Sequence, residues 1–166
     1  SDICPVVWTF HDMWPMTGRC AYSYDCDKYT DTCHDCPYLD TAKSVEFDST
    51  MLLHKLKKNI FKRAEANIIA PSQWMEENVH ESFFNTDNLY HIPNGIDTDF
   101  FSPADDQKTK KSYDIRNDSI VILVIANGLS NPRKGMKHLL SALSNIPQKE
   151  NVSLLAVGSG SLPESM

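Results

Sequence analysis

Ile120–Ala126, IVILVIA, running directly into Asn127–Lys134, NGLSNPRK, is the stretch on which the fold turns. An unbroken apolar run is the pattern of a strand covered on both faces in a parallel sheet, because a strand with one wet face alternates instead. The spacing predicts a helix from Gly135 to about Asn145 and a second strand over Val152–Val157. Strand, helix, strand in that order is a parallel crossover unit. Ligands of open α/β sheets bind at the carboxyl ends of the strands. Arg133 and Lys134 therefore fall at the start of a helix whose first amides point outward and favour an anion. The pair reads as a phosphate site or as a solvated basic loop end. Gly135 permits close ligand approach or simply a tight turn.

Upstream the same alternation recurs. Pro5–Phe10 reads as a buried strand, and a long polar loop follows it. Residues 51–66 are predicted as an amphipathic helix with Leu53, Leu56, Ile60 and Ala64 on the core face and Lys55, Lys58 and Lys62 largely off it. Asn67–Ala70 is a short strand. Pro71 and Ser72 open a helix to about Ser82, with Ser72 as N-cap and Glu76 and Glu77 near its positive end. Asn88–Ile92 is a further strand, ending at Pro93-Asn94-Gly95. The polar segment Ala104–Asp118 can form at most a surface helix. The expected division is residues 1–92, a connecting segment over 93–118, and residues 119–166.

The long loop carries Cys20-x5-Cys26-x6-Cys33-x2-Cys36, starting nine residues after His11. Four thiolates this close can surround one tetrahedral cation, and the Cys33/Cys36 pair has the chelating spacing of structural zinc sites. Two disulfides, in any of three connectivities, and unlinked thiols are the other readings. His34 lies inside the chelating pair and reads as an exposed loop histidine. Cys4, ahead of Val6-Val7-Trp8, reads as a small buried residue.

Composition bounds the function. The 166 residues can bury one good core or parts of two. A hydrophobic content of 41% fits a globular protein, and no apolar run approaches the roughly 20 residues that span a bilayer. The net charge is −6, distributed as −6 over residues 1–50, +4 over 51–70 and −4 over 71–166. An acidic total argues against nucleic acid as a partner. The basic helix admits contact with an anionic membrane surface, although a core-facing helix explains the same pattern.

Several segments occur together in one order: His11-Asp12 after a strand, ANIIAPSQWM, IPNGIDTDFFSP, Arg133-Lys134-Gly135 after an apolar strand, and Val157-Gly158-Ser159-Gly160. That order resembles glycosyltransferase family 4, in particular its bacterial members that assemble surface polysaccharides or exopolysaccharides. The resemblance implies a GT-B architecture, α/β with parallel sheets, in which two Rossmann-like domains face a cleft. Residues 1–92 would be the later part of the acceptor-side domain. Residues 119–166 would be the first half of the donor-binding one. It also implies retaining transfer of a sugar from a nucleotide-diphosphate sugar to a saccharide or lipid-linked acceptor, with no catalytic cofactor, in the cytoplasm or at the inner face of the membrane. His11 and Asp12 would be the catalytic residues, with His11 beside the donor sugar. Arg133, Lys134 and Gly135 would bind the donor diphosphate. Cys20, Cys26, Cys33 and Cys36 remain candidates for a structural zinc.

Two departures accompany the resemblance. Many members carry an arginine six residues before the lysine, where this chain has Gly128. The paired-glutamate segment and the glycine-rich acceptor-side loop of the family fall outside Ser1–Met166, so the chain alone is expected to be inactive. The alternative is a non-catalytic α/β phosphosugar-binding protein with a zinc loop.

Overall fold

A computed structural model describes residues 4–41, 45–104, 106–147 and 151–161. The chain divides into two compact units, Ser1–Asp97 and Thr98–Met166. In the first, β1 (Val6–Thr9), β2 (Ala66–Ala70) and β3 (Leu89–His91) form a parallel sheet in the order β1-β2-β3. Val6 pairs with Ala66, and Ile68 pairs with Leu89. Between β1 and β2 lie the cysteine-bearing loop and helix α1 (Thr50–Phe61); between β2 and β3 lies α2 (Gln73–His80).

Local chemistry explains these boundaries. Ser72 caps α2, its hydroxyl accepting from the Met75 amide at 3.2 Å, and Glu76 sits in the first turn. Asp48 performs the equivalent service before α1, accepting from the Thr50 amide at 2.9 Å and the Thr50 hydroxyl at 2.6 Å. Helix α1 stops at Phe61, short of the expected 66. Tight turns close there from Arg63 to Ile60 and from Ala64 to Phe61, reversing the chain in time to start β2.

The core lies beside this sheet: Phe10, Met13, Met16, Tyr29, Ile68, Ala70, Met75 and Val79, with Trp8 and Phe84 packed against them. Full burial of a Phe or Met stabilises by about 1.5–3 kcal/mol. The three residues Phe10, Met13 and Met16 thus anchor the segment that follows β1. Trp8 meets Phe10 and Phe61 edge-on, with ring centroids 4.9 and 5.1 Å apart.

The expected face of α1 is wrong. Leu56 is 51% exposed and Ile60 53%, Ala64 is exposed and Leu53 only half-buried, whereas Thr50, His54 and Lys57 are buried. The helix turns its polar stripe inward because the loop above it presents backbone carbonyls that need donors, a demand that apolar periodicity does not register. Strand β1 is also less buried than expected: it forms an edge of the sheet, and Val6 and Val7 are exposed. Cys4 is exposed as well.

In the second unit β4 (Ile120–Ala126) and β5 (Val152–Gly158) pair in parallel, Ile120 with Val152 through Ala126 with Gly158. The surface helix α3 (Asp106–Ser112) buries nothing, and α4 (Met136–Ser144) crosses between the strands. Only one face of β4 is covered. Ala126 and Val124 pack against Leu139, Leu140 and Met136, while Leu123 and Ile125, pointing the other way, are exposed.

Candidate functional site

His11 and Asp12 leave the carboxyl end of β1, the end at which open parallel sheets hold ligands. The loop there is built from the inside. Phe10 donates its amide to Ile69 at 2.9 Å, and Met13 donates to Ala21 at 3.0 Å. The Asp12 carboxylate accepts from the Trp14 amide at 2.8 Å, so Asp12 fixes the turn. His11 is exposed.

Lys57 of α1 holds the loop from below. Its ammonium donates to the carbonyls of Trp14 at 2.6 Å and Thr17 at 3.0 Å, and lies 3.6 Å from the centre of the Trp14 ring. Burial pushes its pKa down to about 8, opposed by Cys33, Cys20 and Asp12. One turn earlier His54, fully buried, places Nε2 3.1 Å from the Tyr29 carbonyl. Burial lowers its pKa as well. Gly18 is packed so closely on α1 that a Cβ there would lie 2.6 Å from the Thr50 carbonyl oxygen. Of the tryptophans, Trp8 is a packing residue, whereas Trp14 and Trp74 are about half exposed.

Cys20, Cys26, Cys33 and Cys36 line one small cavity of about 20 Å³ beneath Gly18 and Thr50, and none is in a disulfide. Among the described residues no three His, Cys, Asp or Glu side chains are gathered as a ready metal-binding group. The Gly18 amide points at the Cys33 sulfur at 3.2 Å. Lys28 donates to the carbonyls of His34 at 3.0 Å and Asp35 at 2.9 Å, and Asp48 accepts from the Cys36 amide at 2.8 Å. Burial, reinforced by the neighbouring thiols, raises the pKa of Cys20 to about 11. His34 lies at the cavity edge, but its Nδ1 is 3.1 Å from the Asp35 carboxylate.

In the second unit Arg133 and Lys134 occupy a single 3-10 turn, Pro132–Lys134. Asn131 caps that turn, its side chain accepting from the Arg133 amide at 3.0 Å. Gly135, with φ 73°, then turns the chain into α4 in a left-handed conformation that favours glycine. Both basic side chains are exposed. The loops after β4 and β5 are tied together: Leu129 donates to the Ser159 carbonyl at 2.8 Å and Gly128 to the Ser159 hydroxyl at 3.1 Å. At Gly158 a Cβ would lie 1.9 Å from the Ala126 carbonyl oxygen. Gly128, where many family members have arginine, sits at φ 80° and is held by that serine.

The larger cavities lie elsewhere. One of about 570 Å³ flanks α3 between Gln107 and Asn117. Another, of about 270 Å³, opens at the amino end of β2 beside Trp8 and Phe84. Neither contains a residue singled out in the sequence.

A family model described as Glycosyltransferase Family 4 matches residues 2–100, more than half of the chain and the whole of the His11 loop and cysteine segment. The chain belongs to glycosyltransferase family 4. It is 34% identical over 95 residues to WcaC of Escherichia coli (strain K12), a protein whose name assigns it provisionally to colanic acid biosynthesis as a glycosyl transferase. That similarity covers 55% of this chain and 23% of the relative, so the chain spans only a minor part of WcaC's length. The mixed α/β organisation with parallel sheets is that of a partial GT-B, Rossmann-like member. Arg133, Lys134 and Gly135 lie beyond the matched residues. No helix among the described residues is long and apolar enough to cross a membrane.

Sequence reading missed Lys57, His54 and Asp48. Lys57 and His54 meet carbonyls 25 to 43 positions away, and no local pattern announces such partners. Asp48, two residues ahead of Thr50, carries the one available signal, an acidic residue at a helix start.

Proposed function

We propose that the enzyme carrying this chain transfers a sugar, with retention, from a nucleotide-diphosphate sugar to a saccharide or lipid-linked acceptor in polysaccharide assembly. Family membership and the similarity to WcaC support the transferase reading. The observation that carries the donor assignment is the capped turn after β4. It carries Arg133 and Lys134 on the loop that leaves the carboxyl end of a parallel strand pair, a loop whose Gly128 and Leu129 are bonded to Ser159.

Departure of the leaving group builds negative charge on the diphosphate. An ammonium, a guanidinium and backbone amides fixed before the reaction stabilise that charge without reorganising. Asn131 fixes the turn, and Gly135 supplies the left-handed φ of 73° that leads it into α4. His11, at the carboxyl end of β1, hydrogen-bonds a hydroxyl of the donor sugar and orients it. Asp12 acts through the Trp14 amide and is a positioning residue. The work is assigned to the cytoplasm, with the acceptor drawn from the inner face of the membrane where it is lipid-linked.

Calorimetry with UDP and GDP, and with their sugar conjugates, tests this in enzyme carrying these residues. Lys134→Ala is expected to weaken binding of the preferred diphosphate about 10- to 100-fold through loss of a charge-assisted contact. His11→Ala is expected to lower turnover far more than nucleotide affinity. Unchanged diphosphate affinity in the lysine variant removes the phosphate assignment. Full turnover in the histidine variant removes His11 from the site. Binding without any transfer favours a phosphosugar-binding protein.

A further inference from the structure

We propose that Cys20, Cys26, Cys33 and Cys36 bind one thiophilic divalent cation, zinc by its chemistry, in a closed structural site that fixes the His11–Gly18 turn. The inference is independent of the transferase reading. It rests first on placement, since four cysteines spread over 17 residues line a single small cavity. About 20 Å³ is room for roughly one small sphere, which suits a bare ion and is too little for a multi-iron cluster.

The surroundings are those of an anion. Four thiolates around a divalent ion carry a net double negative charge. Arg19 and Lys28 stand in the cavity wall, and the buried ammonium of Lys57 is drawn electrostatically to Cys33 and Cys20. The Gly18 amide aimed at the Cys33 sulfur is the kind of outer contact that orients a ligand and favours its charged form.

The Cys33-x2-Cys36 knuckle is held before any ion arrives. Lys28 clamps the His34 and Asp35 carbonyls, Asp48 holds the Cys36 amide, and Asp35 takes a left-handed φ of 41°. The sulfurs are not yet at ligand spacing. Binding draws them inward by rotation of the cysteine side chains to about 2.3 Å from the ion, with release of the four S–H protons. His34, engaged with Asp35, stays outside the ligand set.

The site reaches the functional loop through short links. The Thr17 hydroxyl donates to the Cys20 carbonyl at 2.6 Å, Met13 bonds Ala21, and Lys57 holds Trp14 and Thr17. Fixing the cysteines therefore fixes the turn that begins at His11.

The test uses the purified, reduced 166-residue chain. Elemental analysis should find about one zinc per chain. Cobalt(II) titrated into chelator-stripped protein should give the sulfur-to-metal charge-transfer and visible bands of a tetrahedral thiolate site, saturating at about one equivalent and lost on adding zinc. Thiol labelling of the zinc form should reach Cys4 quickly and spare the other four. Asp48→Asn, which keeps every sulfur, should weaken cobalt binding about tenfold or more. Cys33→Ser should weaken it further. If Cys33→Ser does not fold, the wild-type spectrum and the Asp48 variant still decide. No cobalt spectrum with all five thiols reacting alike, an intact mass showing paired cysteines, or iron in place of zinc would each overturn the proposal.

Discussion

The loop after β1 and the loop after β4 occupy equivalent places in their units, and they are built in opposite ways. The first is long and bound from beneath: Met13, Met16 and Thr17 are buried, and Lys57 and His54 reach it from α1. The second is short and held mainly by its own backbone, Asn131, Gly135 and the Ser159 link, with its two cations exposed. The first loop is therefore scaffolded by side chains from a helix, and the second by the conformation of its own turn.

The sharpest way to break this comparison is at Gly18. A methyl group placed 2.6 Å from the Thr50 carbonyl oxygen cannot be absorbed by a flexible tip, so Gly18→Ala should cost about 2–4 kcal/mol in urea unfolding. A loss below about 0.5 kcal/mol, the usual effect of a surface change, would show that the first loop is not seated on α1 as described.

A smaller effect is expected at the lysines, and it should differ between the loops. Lys57→Met strips the donor from two carbonyls and removes the cation over Trp14, for an expected loss of about 2–3 kcal/mol. Lys134→Met should change stability by under about 0.5 kcal/mol, because that side chain is exposed. Equal losses at both positions would erase the distinction between a buried scaffolding lysine and an exposed one.

The smallest effect concerns pH. Burial lowers the pKa of His54 below its ordinary 6.5, so the unfolded chain takes up the proton first as pH falls. The contribution of this group to stability is therefore complete above 6.5 and is lost as pH falls through 6.5 toward the folded value. Urea midpoints of the first unit should decline below about pH 6.5, and less steeply in His54→Gln. Identical slopes in the two proteins would remove His54 from the loop's support.

The strands were legible in the sequence because strands of a parallel sheet are rich in apolar residues, as at Ile120–Ala126 and Ala66–Ala70, but the two covered faces expected of β4 were not found, since Leu123 and Ile125 are exposed. The Ser72 cap, the surface character of α3 and the turn after β4 were legible for the same reason, since each depends on neighbours within a few positions. Ordered motifs also pointed to the family that residues 2–100 match. The inward face of α1 was not legible. Leu56 and Ile60 carry the apolar signal, yet His54 and Lys57 are buried, because carbonyls of Trp14, Thr17 and Tyr29 claim them from far along the chain. The spacing of the four cysteines lies in the sequence, but the cavity they share, the cations around it and its link to the His11 turn come only from tertiary structure. Local sequence sets hydrophobic period and caps because those energies act within a turn or a strand. Which polar group is satisfied by which distant carbonyl is settled only when the chain packs and every buried donor and acceptor must find a partner.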